Sequence, residues 1–238
     1  PHIMKDKSRK LSKRHGDANF EDFYNKGYLP EAILNYVALL GWNPKTEQEK
    51  FSVKELVDLF DIAGISKSSA IFDPVKLHWL NGLYIKEIPA AEFHKQALPY
   101  YAEIKTLIDK TLLSSLLQSR IGAFSDIPEK IAFIDNYDNF DLTYFENKDS
   151  KTTLEMAKEV LPTVLSALRE QREWTNEAIF ATYNAITETL GVKKKQLLWI
   201  IRIALTGALS TPCGASEMCI LIGRELTLKR LEDTLKRL

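Results

Sequence analysis

Two cysteines, Cys213 and Cys219, are all that the 238 residues carry. They stand six apart, with no second cysteine pair and no histidine cluster near them, which argues against both a zinc site and a disulfide framework. Buried thiols in a reducing cytosol are the expectation. No apolar run approaches the roughly 18–20 residues needed to span a bilayer, and no charged segment followed by an apolar stretch opens the chain, so neither a membrane protein nor an exported one is expected. Net charge is missing too: 32 basic residues balance 32 acidic ones. Such a chain is no general binder of polyanions, and any nucleic-acid contact has to come from local clusters of charge. Long runs of period two, which would make a sheet, and repeats of fixed period are also absent.

What is present is helix. With 45% hydrophobic residues there is enough apolar material for one large domain or a few small ones, and a monomer is the default. Pro30 opens a helix whose apolar face is Ile33, Leu34, Val37 and Leu40 and whose stop is Gly41. Ser52 to Glu55 has the capping-box pattern, and Asp73-Pro74 starts a helix that Gly82 is expected to end. Shorter helices follow to about Tyr137, broken by Pro99, Gly122 and Pro128, with a stripe of Leu107, Ile108, Leu112, Leu116 and Leu117. Residues 135–149 set Asp135, Asp138, Asp141, Glu146 and Asp149 against Lys148 alone and read as an acidic connector, docked or free. Beyond it come a helix from Thr153 to Arg172, with Pro162 implying a kink or two helices, another from Thr175 to Gly191, and more from about Lys195, Ser216 and Arg224. The opening Pro1-His2-Ile3-Met4 has the look of a cloning or protease-site remnant and is set aside.

The densest charge is at the start, where Lys5, Lys7, Arg9, Lys10, Lys13 and Arg14 oppose Asp6 alone. A run of this kind is usually a solvated tail. Here it contains Lys10-Leu11-Ser12-Lys13-Arg14, which resembles the KMSKS signature of class I aminoacyl-tRNA synthetases in the KLSKR form of the glutamyl type. The chain continues with Lys26-Gly-Tyr-Leu-Pro-Glu-Ala32, Asn35-Tyr36, Leu39-Leu-Gly-Trp42, Lys76-Leu77, Trp79-Leu-Asn-Gly-Leu-Tyr-Ile85, Glu173-Trp-Thr175, Arg202-Ile-Ala-Leu-Thr-Gly207 and Thr211-Pro212, in the order and spacing of that family. The resemblance covers almost the whole chain and thins in the middle.

The resemblance implies an all-α architecture: a stem-contact domain over 5–88 bearing the KMSKS-type loop, then an anticodon-binding cage of two helical domains, 89–148 and 149–238. It implies a cytoplasmic glutamate-tRNA ligase of bacterial type that forms glutamyl-adenylate from ATP and passes the acyl group to tRNA(Glu) or also tRNA(Gln). Lys10 and Lys13 would be the catalytic cations, since negative charge builds on the β and γ oxygens as pyrophosphate leaves. Leu11, Ser12 and Arg14 complete the ATP-binding loop. Lys76, Arg120, Arg202, Thr211 and Pro212 would meet tRNA, with Arg120 at the third anticodon base. Anticodon bases are unpaired, so they can be stacked and read on their Watson-Crick edges, and a guanidinium offers both a paired donor edge and a stacking face.

Plainer readings stand beside these. Arg120 also suits an exposed helix end, Arg202 a snorkelling or ion-paired arginine, Thr211-Pro212 an ordinary turn. Lys193, Lys194, Lys195, Lys229, Arg230, Lys236 and Arg237 serve either as phosphate contacts or as solvation. Trp42, Trp79, Trp174 and Trp199 are expected in cores, as are His78 and His94, which have no nucleophile or ligand partner near them in sequence. No metal site is expected. Because no HIGH-type tetrapeptide or nucleotide-binding half is visible, the expectation is a chain that binds tRNA without aminoacylating it, with ATP and magnesium belonging to the full-length enzyme and no cofactor in this stretch. A class I lysyl-tRNA synthetase and an all-α interaction scaffold are the alternatives.

Overall fold

The computed structural model describes residues 3–11 and 19–238. Among them the regular structure is α-helix and short 3-10 turns apart from one pair of two-residue strands. In order these are β1 (Ile3–Met4), α1 (Phe20–Asn25), α2 (Pro30–Gly41), α3 (Val53–Leu59), β2 (Ala70–Ile71), α4 (Pro74–Ile85), α5 (Ala90–Ala97), α6 (Lys110–Gln118), α7 (Ile127–Ile131), α8 (Leu154–Glu170), α9 (Asn176–Leu190), α10 (Lys194–Thr206) and α11 (Ala215–Arg237). β1 and β2 pair in parallel, Ile3 with Ala70 and Met4 with Ile71, so residues set aside on sequence grounds take part in the fold. The chain divides into two compact units, the first Pro1–Tyr100 with Leu117–Ile127 and the second Tyr101–Leu116 with Pro128–Leu238.

Unit 1 is organised by two buried asparagines. Asn35 accepts the Phe51 amide at 2.8 Å and the Tyr84 hydroxyl at 2.6 Å, while its amide nitrogen donates to the Glu49 carbonyl at 3.1 Å. Asn81 accepts the Leu29 amide at 2.8 Å and donates to the Gly122 carbonyl at 2.6 Å. A buried amide costs stability unless its donors and acceptors are paired, and these are. Around them pack Tyr36, Leu77 and Leu80, and separately Trp42, Phe51 and Leu56. The Ser52–Glu55 capping box forms as expected, and Asp73 caps α4 through the Val75 and Lys76 amides.

Three expectations for unit 1 change. α4 runs through Gly82 to Ile85; that glycine marks a close approach instead of a stop, for a Cβ there would lie 3.2 Å from the Ile121 carbonyl oxygen. The α2 core face is Ala32, Ile33 and Tyr36, whereas Leu34 and Val37 line an apolar groove with Leu11, Phe20 and Phe72. Trp79 is 47% exposed and therefore is no core residue.

In unit 2, α8 to α11 pack on one another around Val160, Leu161, Val164, Tyr183, Ile200, Ala204, Met218 and Leu231. α8 passes through Pro162 as one helix, and α9 ends at left-handed Gly191 as the sequence implies. α11 is broken at Gly223 (φ 77°, ψ 167°), which accounts for the second start expected near Arg224. Leu107, assigned to an apolar stripe, is 96% exposed; Leu117 of that stripe is buried, and so is Leu113, which the stripe left out. The acidic segment belongs to this core, with Tyr137, Phe140 and Phe145 buried and Asp135 accepting the Lys105 and Thr106 amides at 2.7 and 2.9 Å.

Candidate nucleic-acid interface

Lys193 caps α10, which begins with Lys194 and Lys195 and has no acidic residue in its first turn. That is unusual, because a helix N-terminus carries partial positive charge and ordinarily attracts carboxylates. One turn on, Trp199 and Arg202 lie on the same face. The Trp199 indole donates Nε1–H to the Tyr144 carbonyl at 3.0 Å, which locks its orientation, and the Arg202 guanidinium carbon lies 5.6 Å from its ring centroid. Lys195 donates to the Asp149 carbonyl at 3.1 Å, and Lys194 sits over the Phe180 ring at 4.3 Å. Lys194, Lys195, Trp199 and Arg202 border a groove of about 620 Å³ that is lined also by Asn147, Asp149, Ser150 and Leu198. Its volume is that of a small-ligand site, roughly 300–1,000 Å³. Cations, one fixed aromatic face and a few polar edges are the components that single-stranded nucleic acid requires.

The remaining candidates are dispersed. Thr211 donates its hydroxyl to the Cys213 carbonyl at 2.8 Å, and Pro212 is buried. Both follow Gly207 in the loop after α10, within unit 2. Arg120 is exposed two residues beyond α6 and belongs to unit 1. Lys76, also in unit 1, is ion-paired with Glu49. Lys10 is exposed on a short turn that Asp6 organises by accepting the Ser8 and Arg9 amides, both at 2.9 Å. Ser12, Lys13 and Arg14 lie outside the described residues.

Other residues take roles the sequence did not announce. His78 has partners after all: its Nδ1 is 3.1 Å from the Tyr28 hydroxyl and its Nε2 is 3.2 Å from Asp126 Oδ2. Trp174 is half-buried and donates to the Cys219 carbonyl at 3.0 Å. Both cysteines are buried thiols outside any disulfide, and burial pushes the Cys219 thiol up to about 11. Among the described residues no group of three or more His, Cys, Asp or Glu could hold a metal ion, and no helix is long and apolar enough to cross a membrane. Of the C-terminal cations offered to phosphate, Lys229 is exposed, Lys236 pairs with Asp233 at 2.8 Å, Arg237 donates to the Phe140 carbonyl, and Arg230 is buried. Arg230 therefore belongs to the interior, which residue type alone does not reveal.

Comparison with known proteins bears on this geometry. Residues 92–235 match the family model described as anticodon binding domain, and residues 1–79 match that of tRNA synthetases class I (E and Q), catalytic domain. A glutamate–tRNA ligase of Clostridium novyi (strain NT) is 44% identical over 243 residues, covering 100% of this chain and 50% of the relative. That of Clostridium kluyveri is 46% identical over 239 residues, covering 100% and 49%. The chain thus spans about half the length of the curated relatives it matches. Crystal structures of glutamate-tRNA ligases from Elizabethkingia meningosepticum and Elizabethkingia anophelis superpose with TM-scores of 0.76 and 0.77 at 21% and 23% identity, each covering 99% of this chain and 50% of theirs. At that identity the two structures support the fold alone, which is the all-α one expected.

Proposed function

The chain belongs to the anticodon binding domain family, and from that premise we propose that it is the tRNA-holding part of a glutamate–tRNA ligase. The observation that carries the reading is the α10 groove, where Lys194, Lys195, Trp199 and Arg202 gather within the span matched to that family. Trp199 gives an unpaired base a rigid face to stack on, and Arg202 offers donors to its edge. Lysines at the helix start sit where the next phosphate of the strand would pass. An otherwise neutral chain thereby acquires local affinity for a polyanion.

The finer assignments extend the same reading. Residues 5–88 form the stem-contact part, 89–148 and 149–238 the anticodon cage, with Lys76 touching the tRNA body, Arg120 the third anticodon base and the Thr211-Pro212 loop another. In the whole enzyme, glutamate's carboxylate attacks the α-phosphate of ATP and expels pyrophosphate, and a hydroxyl of the 3′-terminal ribose then takes the acyl group as AMP leaves. Lys10 and Lys13 would neutralise the departing charge, while Leu11, Ser12 and Arg14 shape the loop around ATP, which enters with magnesium as a substrate. The glutamate–tRNA ligases among the relatives support this over a lysyl enzyme.

Titration of tRNA(Glu) into the chain over a range of salt tests the proposal. Affinity should fall with a log–log slope of roughly −0.7 to −0.9 per phosphate contact, and should exceed that for an unrelated RNA. Equal affinity for both RNAs would favour an all-α scaffold instead.

A further inference from the structure

We propose that Arg230 is a positioning residue for anticodon reading: from inside unit 2 it clamps the C-terminal turn of α10 and so fixes how Arg202 and the loop bearing Thr211 are presented. The proposal rests on the reading of the groove given above. Arg230 is 3% exposed, a place where a guanidinium is costly unless its donors are used. Among the described residues no carboxylate pairs with it. Instead Nη1 donates to the Leu205 carbonyl at 2.7 Å and, more weakly, to that of Phe133 at 3.3 Å, while Nη2 donates to the Ile134 carbonyl at 2.6 Å. The guanidinium carbon lies 4.5 Å from the Tyr137 ring centroid, so the aromatic face takes part of the charge.

What matters is which carbonyls are bound. A helix leaves its last four carbonyls without partners in the helix, and here those belong to Ile203, Ala204, Leu205 and Thr206. Ile203 is satisfied by the Gly207 amide at 2.8 Å. Ala204 accepts the Thr234 hydroxyl at 3.1 Å and Leu205 accepts Arg230, so α11 supplies the cap from across the core. A cation at this helix end also opposes the negative pole of the helix dipole. Tyr137 completes the arrangement, its hydroxyl donating to the Arg230 carbonyl and lying within hydrogen-bond distance of the Thr234 hydroxyl, each at 2.6 Å.

This clamp lies one turn from the groove. The Arg202 carbonyl accepts the Thr206 hydroxyl at 2.8 Å, so the capped turn and the residue bearing the guanidinium are joined by a side-chain bond as well as by the backbone. Directly afterwards Gly207 takes a left-handed conformation (φ 59°) and the chain leaves toward Thr211. An apolar residue in place of Arg230 would fill space yet strand these carbonyls. α10's last turn would then be free to fray, and Arg202 would lose its fixed setting.

The test compares the full chain with R230M, R230K and T234V. It measures affinity for the tRNA(Glu) anticodon hairpin and for the same hairpin with one anticodon base changed. R230M, provided circular dichroism and a cooperative melt show it folded, should reduce the ratio of the two affinities by about two- to thirtyfold while leaving affinity for the altered hairpin unchanged. R230K, which keeps the charge but not the fork, should restore part of the ratio. T234V, which releases the Ala204 carbonyl and takes a partner from the Tyr137 hydroxyl but leaves the Arg230 bonds in place, should move it the same way by less, and decides the matter should R230M not fold. Folded variants with the wild-type ratio would overturn the proposal. A wild-type chain that cannot tell the hairpins apart would overturn the groove reading first.

Discussion

Arg202 and Asp135 show how much a single charged residue depends on where its donors and acceptors go. In Arg202 the guanidinium lies beside Trp199 at the edge of a groove with two lysines, so on the proposed reading truncation would remove a donor to the base edge. Arg202→Ala is expected to weaken anticodon-dependent binding by about 1–3 kcal/mol while leaving helix content unchanged, as titration with hairpins of altered anticodon would show. Asp135 does its work at the surface of unit 2, where it ties down the backbone at Lys105 and Thr106. Burial pushes its carboxyl up, but the Thr106 hydroxyl at 2.6 Å and the amides of Lys105 and Thr106 outweigh burial and hold it below the usual carboxylate range. A carboxyl whose folded pKa is depressed adds stability above its unfolded pKa and loses it as pH falls through the folded one. Acid titration of thermal stability should therefore be flatter for Asp135→Asn than for the wild type below the normal carboxylate range, with the variant less stable at neutral pH. Parallel curves would contradict this.

At the scale of elements, helix ends are where local chemistry decides the structure. Gly191 and Gly207 both end helices with positive φ, 64° and 59°, yet their surroundings differ. A Cβ on Gly191 would meet open space, whereas one on Gly207 would lie 2.6 Å from the Phe140 Cβ. Gly191→Ala should thus cost only the backbone strain, about 1 kcal/mol, and Gly207→Ala clearly more, measured by chemical denaturation. Equal costs would mean that Phe140 yields easily. Such ends were readable in advance: the Ser52 box, the Asp73-Pro74 start and the glycine after α9 all follow from residue types at fixed offsets. Internal positions were less readable. Gly82 looks like a stop but sits where Ile121 passes close by, and Leu34 and Val37 share a helical face with buried Ile33 yet stay exposed in a groove, because periodicity gives a stripe without saying which neighbour will cover it. Trp79 and Arg230 exchange the places their polarity implies for the same reason, since long-range packing alone decides which helix side is covered.

For the whole molecule, sequence and structure contributed different things. The all-α character and the family followed from segments such as Trp79-Leu-Asn-Gly and Arg202-Ile-Ala-Leu-Thr-Gly, and the structure gives several of those residues interior duties: Asn35 and Asn81 brace unit 1, and Thr206 and Gly207 end α10. The groove itself was only half legible. Arg202 and the lysines could be picked out as cations, but Trp199 read as core, because nothing local shows that Tyr144 pins its indole beside Arg202 at a surface. On the proposed reading the α10 groove holds an anticodon base. The most direct test is photocrosslinking of tRNA(Glu) carrying 4-thiouridine at an anticodon uridine, with the attached peptide identified by mass spectrometry. Crosslinks within residues 194–212, lost on Trp199→Ala and outcompeted by unmodified tRNA(Glu), are the predicted result. Specific, competable crosslinks confined to other segments would contradict it.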